Sequence, residues 1–176
     1  MYHLFIFGRL MISPGSFQSM SPVRYVLNGL NRTRMTRIKL INTDYMDLLY
    51  KDITDKIIKS FYKVYNELGF GFLEKVYQNA MYLELVALGF VCEKQKQIKV
   101  FYNVQIVGEY FADINVDNSV IIELKAAESL VEEHELQLIN YLKATEIEVG
   151  LLLNFGRNPQ FKRKVFTNKM KKLKSV

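Results

Sequence analysis

The chain has 176 residues and a mass of 20.6 kDa, enough for one domain with a short extension and too little for several full domains. Its 49% hydrophobic and 24% charged residues are typical of a globular protein and exclude a disordered or fibrous one. The single cysteine, Cys92, excludes an internal disulfide, and with two histidines the chain lacks the ligands of thiolate-rich zinc sites. We therefore expect a protein of a reducing compartment, the cytoplasm, with Cys92 as a packing residue.

The net charge of +6 is concentrated at the beginning of the chain. Residues 1–45 contain six basic side chains and one acidic side chain, whereas residues 46–176 contain 18 basic and 17 acidic ones. We expect 1–45 to be a poorly ordered basic extension, 46–170 to form the domain and 171–176 to be a basic tail. No stretch reaches the roughly 18 apolar residues that cross a membrane, so we expect no membrane partner.

Two amphipathic helices are predicted at the start of the domain. Apolar residues recur at three- and four-residue steps from Leu48 to Leu68, which is typical of one buried helical stripe. A second helix is predicted from about Phe72 to Leu88, and Gly89 suits the left-handed position beyond a helix end. Two helices are therefore expected before any strand.

Three segments rich in β-branched and aromatic residues follow and predict strands. They span residues 97–103, 106–116 and 119–125. Asp117 and Asn118 tolerate positive φ, so we expect an antiparallel hairpin with a loop of two or three residues between the second and third strands.

The remaining pattern predicts one helix and two further strands. The helix is expected over 130–144, and a continuous apolar run at 149–155 predicts a strand covered on both faces. A short strand at 162–167 is expected to close an edge of the sheet. This order of elements predicts an α/β domain in which a mixed β-sheet is flanked by helices.

Asp113, Glu123 and Lys125 form the strongest candidate for chemistry. Because side chains alternate along a strand, Glu123 and Lys125 point to the same face of the sheet. A two-residue loop would pair Asp113 with Ile122, whereas a three-residue loop at 117–119 would place Asp113 opposite Glu123. We expect the three-residue loop, because it keeps Asp113 from being buried without a partner.

Two carboxylates and an ammonium group at one place suit the hydrolysis of a phosphodiester. Carboxylate oxygens are the hard ligands that Mg²⁺ prefers, and a lysine orients or deprotonates the attacking water. Neither role needs histidine or a thiol. The alternative is that the three residues are ordinary solvent-facing charges, since Glu-x-Lys is common on amphipathic strands.

The triplet lies in two of four motifs that occur in order along the chain. The stretch "GFLEKVYQNAMYLEL" has the pattern G-x-x-E-x-x-Y at Gly71, Glu74 and Tyr77, and "FADI", "IIELKA" and "HELQLINYLKAT" follow in order. Together they closely resemble the GxxExxY protein family, which is similar to a branch of the PD-(D/E)XK nuclease superfamily, over residues 46–166. The resemblance implies a restriction-endonuclease-like fold. It also implies a Mg²⁺-dependent nuclease, with Mn²⁺ as a substitute, that acts on nucleic acid and on DNA in preference to RNA.

The resemblance also assigns roles to individual residues. The metal ligands it implies are Glu74, Asp113, Glu123 and the backbone carbonyl of Leu124. The catalytic residues it implies are Asp113, Glu123, Lys125 and Gln137. Gln137 and Tyr141 match the Q-x-x-x-Y helix motif, whose residues line the site or bind the nucleic acid.

Several of these residues have simpler explanations. Tyr77 belongs to an apolar stripe typical of core aromatics, Glu74 alone resembles a solvated helix charge, and His134 suits a surface or capping position. Gly71 is expected to serve the junction between the helices through a positive φ. The alternative functions are a module that binds nucleic acid or protein without cutting, and a partner-dependent component of a defence or repair complex.

Overall fold

The structure, a computed structural model, describes residues 48–172. The predicted extension 1–45 and the end of the predicted tail, 173–176, lie outside the described residues. The helices are α1 (Lys51–Leu68), α2 (Glu74–Ala87), α3 (Glu132–Ala144) and α4 (Asn168–Lys172). The strands are β1 (Cys92–Tyr102), β2 (Gln105–Val116), β3 (Val120–Lys125), β4 (Val149–Asn154) and β5 (Gln160–Val165). Within residues 48–172, no helix is long and apolar enough to span a membrane.

The five strands form one mixed sheet in the order β1-β2-β3-β4-β5. Three neighbouring pairs are antiparallel, and β3 and β4 are parallel because α3 connects them as a crossover. The predicted architecture, a mixed sheet flanked by helices, is confirmed.

The sheet has a hydrophobic cluster on each face. On one face, α1 and α2 pack against the sheet through Ile57, Phe61, Tyr77, Met81, Leu85, Ile114, Ile122, Leu124, Leu151 and Leu153. On the other face, α3 packs against it through Ile121, Leu138, Tyr141, Leu142 and Leu152. Every residue of β4 is buried, as its continuous apolar run predicted. Burial of each large apolar side chain contributes about 1.5–3 kcal/mol to folding.

The hairpin between β2 and β3 has the predicted three-residue loop. Ile114 pairs with Ile122 and Val116 pairs with Val120, which leaves residues 117–119 as the loop. Asp117 and Asn118 have φ values of 50° and 49°, the left-handed conformation that short polar side chains tolerate. This register determines which residues meet at the candidate site.

Some boundaries differ from those predicted. Strand β1 begins at Cys92 rather than near Lys96, because pairing with β2 extends it through a polar segment that has no hydrophobic alternation. Helix α4 was not predicted from the sequence. Gly71 and Gly89 have the positive φ values expected of them, 105° and 87°.

The basic residues near the end of the chain make contacts within the domain. Lys162 and Lys164 of β5 both form ion pairs with Glu135 of α3. Lys171 of α4 donates to the carbonyl oxygens of Thr145 and Ile147, at 2.6 and 2.9 Å. These contacts join β5 and α4 to α3 and to the segment that follows it.

Candidate active site

Asp113 lies where β2 separates from β3. The last backbone pair between these strands is Ile114 with Ile122. Ile114 packs in the cluster under α1 and α2, whereas Ala112 packs in the cluster under α3, so β2 departs from simple alternation at Asp113. The backbone N–H of Leu124 donates to Asp113 Oδ2 at 2.8 Å. This bond to a side chain replaces a further backbone bond between β2 and β3.

Glu123 lies across from Asp113, one position beyond the last backbone pair. It is 3% exposed, and Lys125 Nζ donates to Glu123 Oε1 at 2.8 Å. Glu123 Oε2 is buried and has no hydrogen-bond partner among the described residues. A buried carboxylate oxygen without a partner is costly and indicates a position for a ligand.

The buried setting changes the protonation of these groups. Burial and, after it, the negative charge of Asp113 raise the pKa of Glu123 to about 7, against the opposing effect of Lys125. Burial also raises the pKa of Asp113, although its bond with Leu124 opposes that effect. For Lys125, burial lowers the pKa, but the hydrogen bond and charge of Glu123 outweigh burial and the net pKa is raised.

Glu74 lies at the margin of this group, at the first position of α2. Its Oε1 accepts a bond of 3.3 Å from the backbone N–H of Ala126, and its charge raises the pKa values of Asp113 and Glu123. Among residues 48–172, no three His, Cys, Asp or Glu side chains form a ready-made metal cluster. Asp113 and Glu123 lie close enough for the charge of Asp113 to raise the pKa of Glu123.

Gln137 and Tyr141 lie on α3, on the other side of Glu123. Gln137 Nε2 donates to the Tyr141 hydroxyl at 2.5 Å, and the ring of Tyr141 is 5.5 Å from that of Tyr110. Burial and, after it, the negative charge of Glu123 raise the pKa of Tyr141 to about 12, so the hydroxyl is a neutral group in the neutral pH range.

His134 and Tyr77 have the structural roles, capping and core packing, that the sequence suggested for them. His134 Nδ1 accepts from the backbone N–H of Val131 at 3.4 Å, which caps the start of α3. Tyr77 is fully buried and stacks on Phe155 with 4.2 Å between ring centres. It is a core aromatic, as its apolar stripe suggested.

Two glutamines at the site were missed by the sequence analysis. Gln78 Nε2 donates to the backbone oxygen and to Oδ1 of Asp113, at 2.9 and 3.1 Å. Gln95 Nε2 donates to the same Oδ1 at 3.2 Å. Gln78 follows Glu74 by four residues and so shares its helix face, a signal that was available in the sequence. Gln95 lies in a polar stretch that gives no such signal.

The donor set at this place fits a divalent cation. Both side chains supply carboxylate oxygens, which hard cations prefer to nitrogen or sulfur. The unpartnered Glu123 Oε2 and the remaining acceptor capacity of Asp113 Oδ2 are available to a cation. A cation would also offset the burial and the neighbouring negative charges that raise the pKa values of the two acids.

A family model described as the PD-(D/E)XK nuclease superfamily matches residues 51–165, which include every residue of this site. The chain belongs to the PD-(D/E)XK nuclease superfamily. Its mixed five-stranded sheet with flanking helices is therefore the restriction-endonuclease-like fold, as expected. Asp113, Glu123 and Lys125 occur in the D…E-x-K order that gives the superfamily its name.

Solved structures also match part of this superfamily member. The crystal structure of SSO0001 is 16% identical with a TM-score of 0.45, and the match covers 72% of this chain and 65% of that one. An alkaline exonuclease (LHK-Exo) from Laribacter hongkongensis is 12% identical with a TM-score of 0.40, over 55% of this chain and 56% of that one. This chain thus spans less than two thirds of either structure. No curated protein matches the sequence.

Proposed function

We propose that this protein is a nuclease of the GxxExxY type that hydrolyses phosphodiester bonds of DNA, with Mg²⁺ as its cation and Mn²⁺ as a substitute. The main support is the unpartnered, buried Glu123 Oε2 beside Asp113 and Lys125. A structural ion pair alone would not leave this oxygen without a partner, since buried polar atoms are nearly always satisfied. We assign the protein to the cytoplasm, where its one thiol stays reduced.

The acidic residues would hold the cation. Glu123 and Asp113 supply carboxylate oxygens, and the carbonyl of Leu124 and the carboxylate of Glu74 are the further ligands we propose. When bound, the cation supplies Lewis-acid chemistry, by acidifying water and neutralising charge that develops on the phosphate. Its charge also keeps both acids ionised in spite of their burial.

Lys125 would orient the attacking water. Its ammonium group is held by Glu123 Oε1, and the side chain as a whole is 13% exposed, so it is fixed in place and partly accessible. The surrounding carboxylates raise its pKa, which favours the protonated form. As a cation it donates hydrogen bonds to the water or to a phosphate oxygen and stabilises negative charge there.

Gln137 and Tyr141 would contact the substrate. The Tyr141 hydroxyl accepts from Gln137, which leaves its own proton free to donate to a phosphate oxygen. Because the pKa of Tyr141 is raised to about 12, this proton is retained throughout the neutral range. Gln137 then acts by orienting the hydroxyl.

Cleavage assays test this proposal. Purified protein is incubated with end-labelled single- and double-stranded DNA and RNA in Mg²⁺, in Mn²⁺ and in EDTA. We expect cleavage of DNA in either cation and none in EDTA. Cleavage that persists in EDTA would contradict the metal assignment. Folded protein that cuts nothing would favour the partner-dependent or binding-only alternatives, although the nearly equal numbers of basic and acidic residues in 46–176 argue against strong nonspecific binding of duplexes.

A further inference from the structure

We propose that Gln78 and Gln95 are positioning residues that orient the Asp113 carboxylate, so that Oδ2 alone is presented to a cation. This inference rests on the proposed function, because it concerns the same metal site. It is drawn from the hydrogen bonds around Asp113 and from the backbone of β1.

Gln78 is a buried amide directed at Asp113. It is 2% exposed, and its Nε2 donates to both the backbone oxygen and Oδ1 of Asp113. Lys75 Nζ donates to Gln78 Oε1 at 2.6 Å. The ammonium group of Lys75 is a donor only, so it must bond the amide oxygen of Gln78. This bond fixes the NH₂ group of Gln78 on the side of Asp113. The amide therefore has one defined orientation.

Gln95 reaches Asp113 from an unfavourable backbone conformation. It lies in β1 across from Asp113, between the pairs Lys94–Ile114 and Lys96–Ala112. Its φ is 53°, in the left-handed region that residues with a Cβ avoid. Glycine would satisfy the backbone at this position without strain, so the side chain itself is the feature that needs explaining.

The hydrogen bonds that Asp113 accepts determine which of its two oxygens can contact a cation. Oδ1 accepts from Gln78 and from Gln95, which uses both of its lone pairs. Among residues 48–172, Oδ2 accepts only from the backbone N–H of Leu124, so one lone pair remains. The carboxylate is thus restricted to a single-oxygen contact with a cation, through Oδ2.

If the two glutamines position Asp113, their removal should weaken metal binding without a matching loss of stability. Groups that hydrogen-bond a metal ligand typically change metal affinity by about 10- to 100-fold when removed. We therefore compare Mn²⁺ binding to full-length protein, measured by titration calorimetry and electron paramagnetic resonance, for the parent, Gln78→Met and Gln95→Gly. Asn79→Ala is the matched control, because Asn79 is the neighbouring amide on α2 and bonds Lys94 instead of Asp113.

The expected results are specific. Each glutamine variant should bind Mn²⁺ about 10-fold or more weakly, whereas Asn79→Ala should bind like the parent. Gln95→Gly should melt at or above the parent temperature, because glycine relieves the positive φ. In cleavage assays kcat should fall with little change in KM for DNA, since Gln78 and Gln95 contact a ligand of the metal and not the nucleic acid.

The outcomes distinguish this inference from the proposed function. A parent protein that binds no Mn²⁺ would overturn the proposed metal-dependent activity itself. If the parent binds Mn²⁺ and both Gln95→Gly and Gln78→Met bind it with the affinity of the parent, the positioning role alone is overturned. If Gln78→Met does not fold, Gln95→Gly decides the question, because glycine adopts the positive φ at this position without strain.

Discussion

The unpartnered oxygen of Glu123 gives the first prediction at the residue scale. Glu123→Gln keeps the size of the side chain but removes the charge that holds a cation. We expect Mn²⁺ to raise the melting temperature of the parent and to leave this variant unchanged. At a concentration 100 times its Kd, a ligand stabilises the folded state by about 2.7 kcal/mol. Glu132→Gln, on the exposed start of α3, is the control and should respond like the parent.

Thermal unfolding monitored by circular dichroism, with and without Mn²⁺, measures this effect. An equal rise in the melting temperature of Glu123→Gln and the parent would contradict the assignment of Glu123 as a ligand.

Cys92 gives a second prediction at this scale, on pH dependence. Burial raises the pKa of its thiol from 9.0 to about 11, and the nearby charge of Asp117 contributes. Only the thiolate reacts with iodoacetamide, so at pH 8 we expect alkylation about 100-fold slower than for an unperturbed thiol. The rate should keep rising through pH 10. A rate that levels off near pH 9 in folded protein, as in urea-unfolded protein, would contradict the raised pKa.

At the scale of single elements, the motif tyrosine fixes the loop before α2. The Tyr77 hydroxyl donates to the Gly69 carbonyl at 2.9 Å and accepts from the Phe72 N–H at 3.2 Å. Tyr77→Phe leaves both backbone groups without this partner, and we expect it to lower the free energy of unfolding by about 1–2 kcal/mol. Urea denaturation measures the loss. Tyr82→Phe is the control, since Tyr82 also lies on α2 and the contacts of its ring, with the core and with Lys94 Nζ, are kept in the variant. An unchanged stability of Tyr77→Phe would contradict this role.

The packing of α3 on β4 depends on a glycine. A Cβ at Gly150 would lie 2.7 Å from Leu138 Cδ1 and 2.9 Å from Leu138 Cγ. We expect Gly150→Ala to destabilise the protein by about 1–3 kcal/mol, because α3 must shift away from the sheet. Gly108→Ala is the matched control, since a Cβ there would meet Val100 at an ordinary 3.7 Å. Similar stabilities for the two variants in urea denaturation would contradict the close contact.

At the scale of the whole molecule, the sequence predicted the order of the elements and the register that forms the site. The apolar run of β4 and the Asp-Asn turn are local signals, and the penalty for burying Asp113 without a partner selected the three-residue loop. The pairing of the start of β1 with the end of β2 escaped prediction, because it joins residues as far apart in the chain as Cys92 and Val116. The polar start of β1 and the left-handed Gln95 are both consequences of pairing with β2.

The partners of each candidate residue also required the structure. Spacing alone predicted that Glu123 and Lys125 share a face, but not that one oxygen of Glu123 is satisfied by Lys125 and the other is unpartnered. Likewise, the glutamines around Asp113 come from two other elements, α2 and β1, and lie 35 and 18 positions before it in the sequence.

The most direct test of the central claim is the single-turnover rate of DNA cleavage in Mg²⁺ for three proteins. They are the parent, Lys125→Met and Lys164→Met, where Lys164 is a lysine of the same sheet that pairs with Glu135. If Asp113, Glu123 and Lys125 form a nuclease centre, Lys125→Met should cleave about 100-fold or more slowly, and Lys164→Met should match the parent. Equal rates for Lys125→Met and the parent would contradict the account.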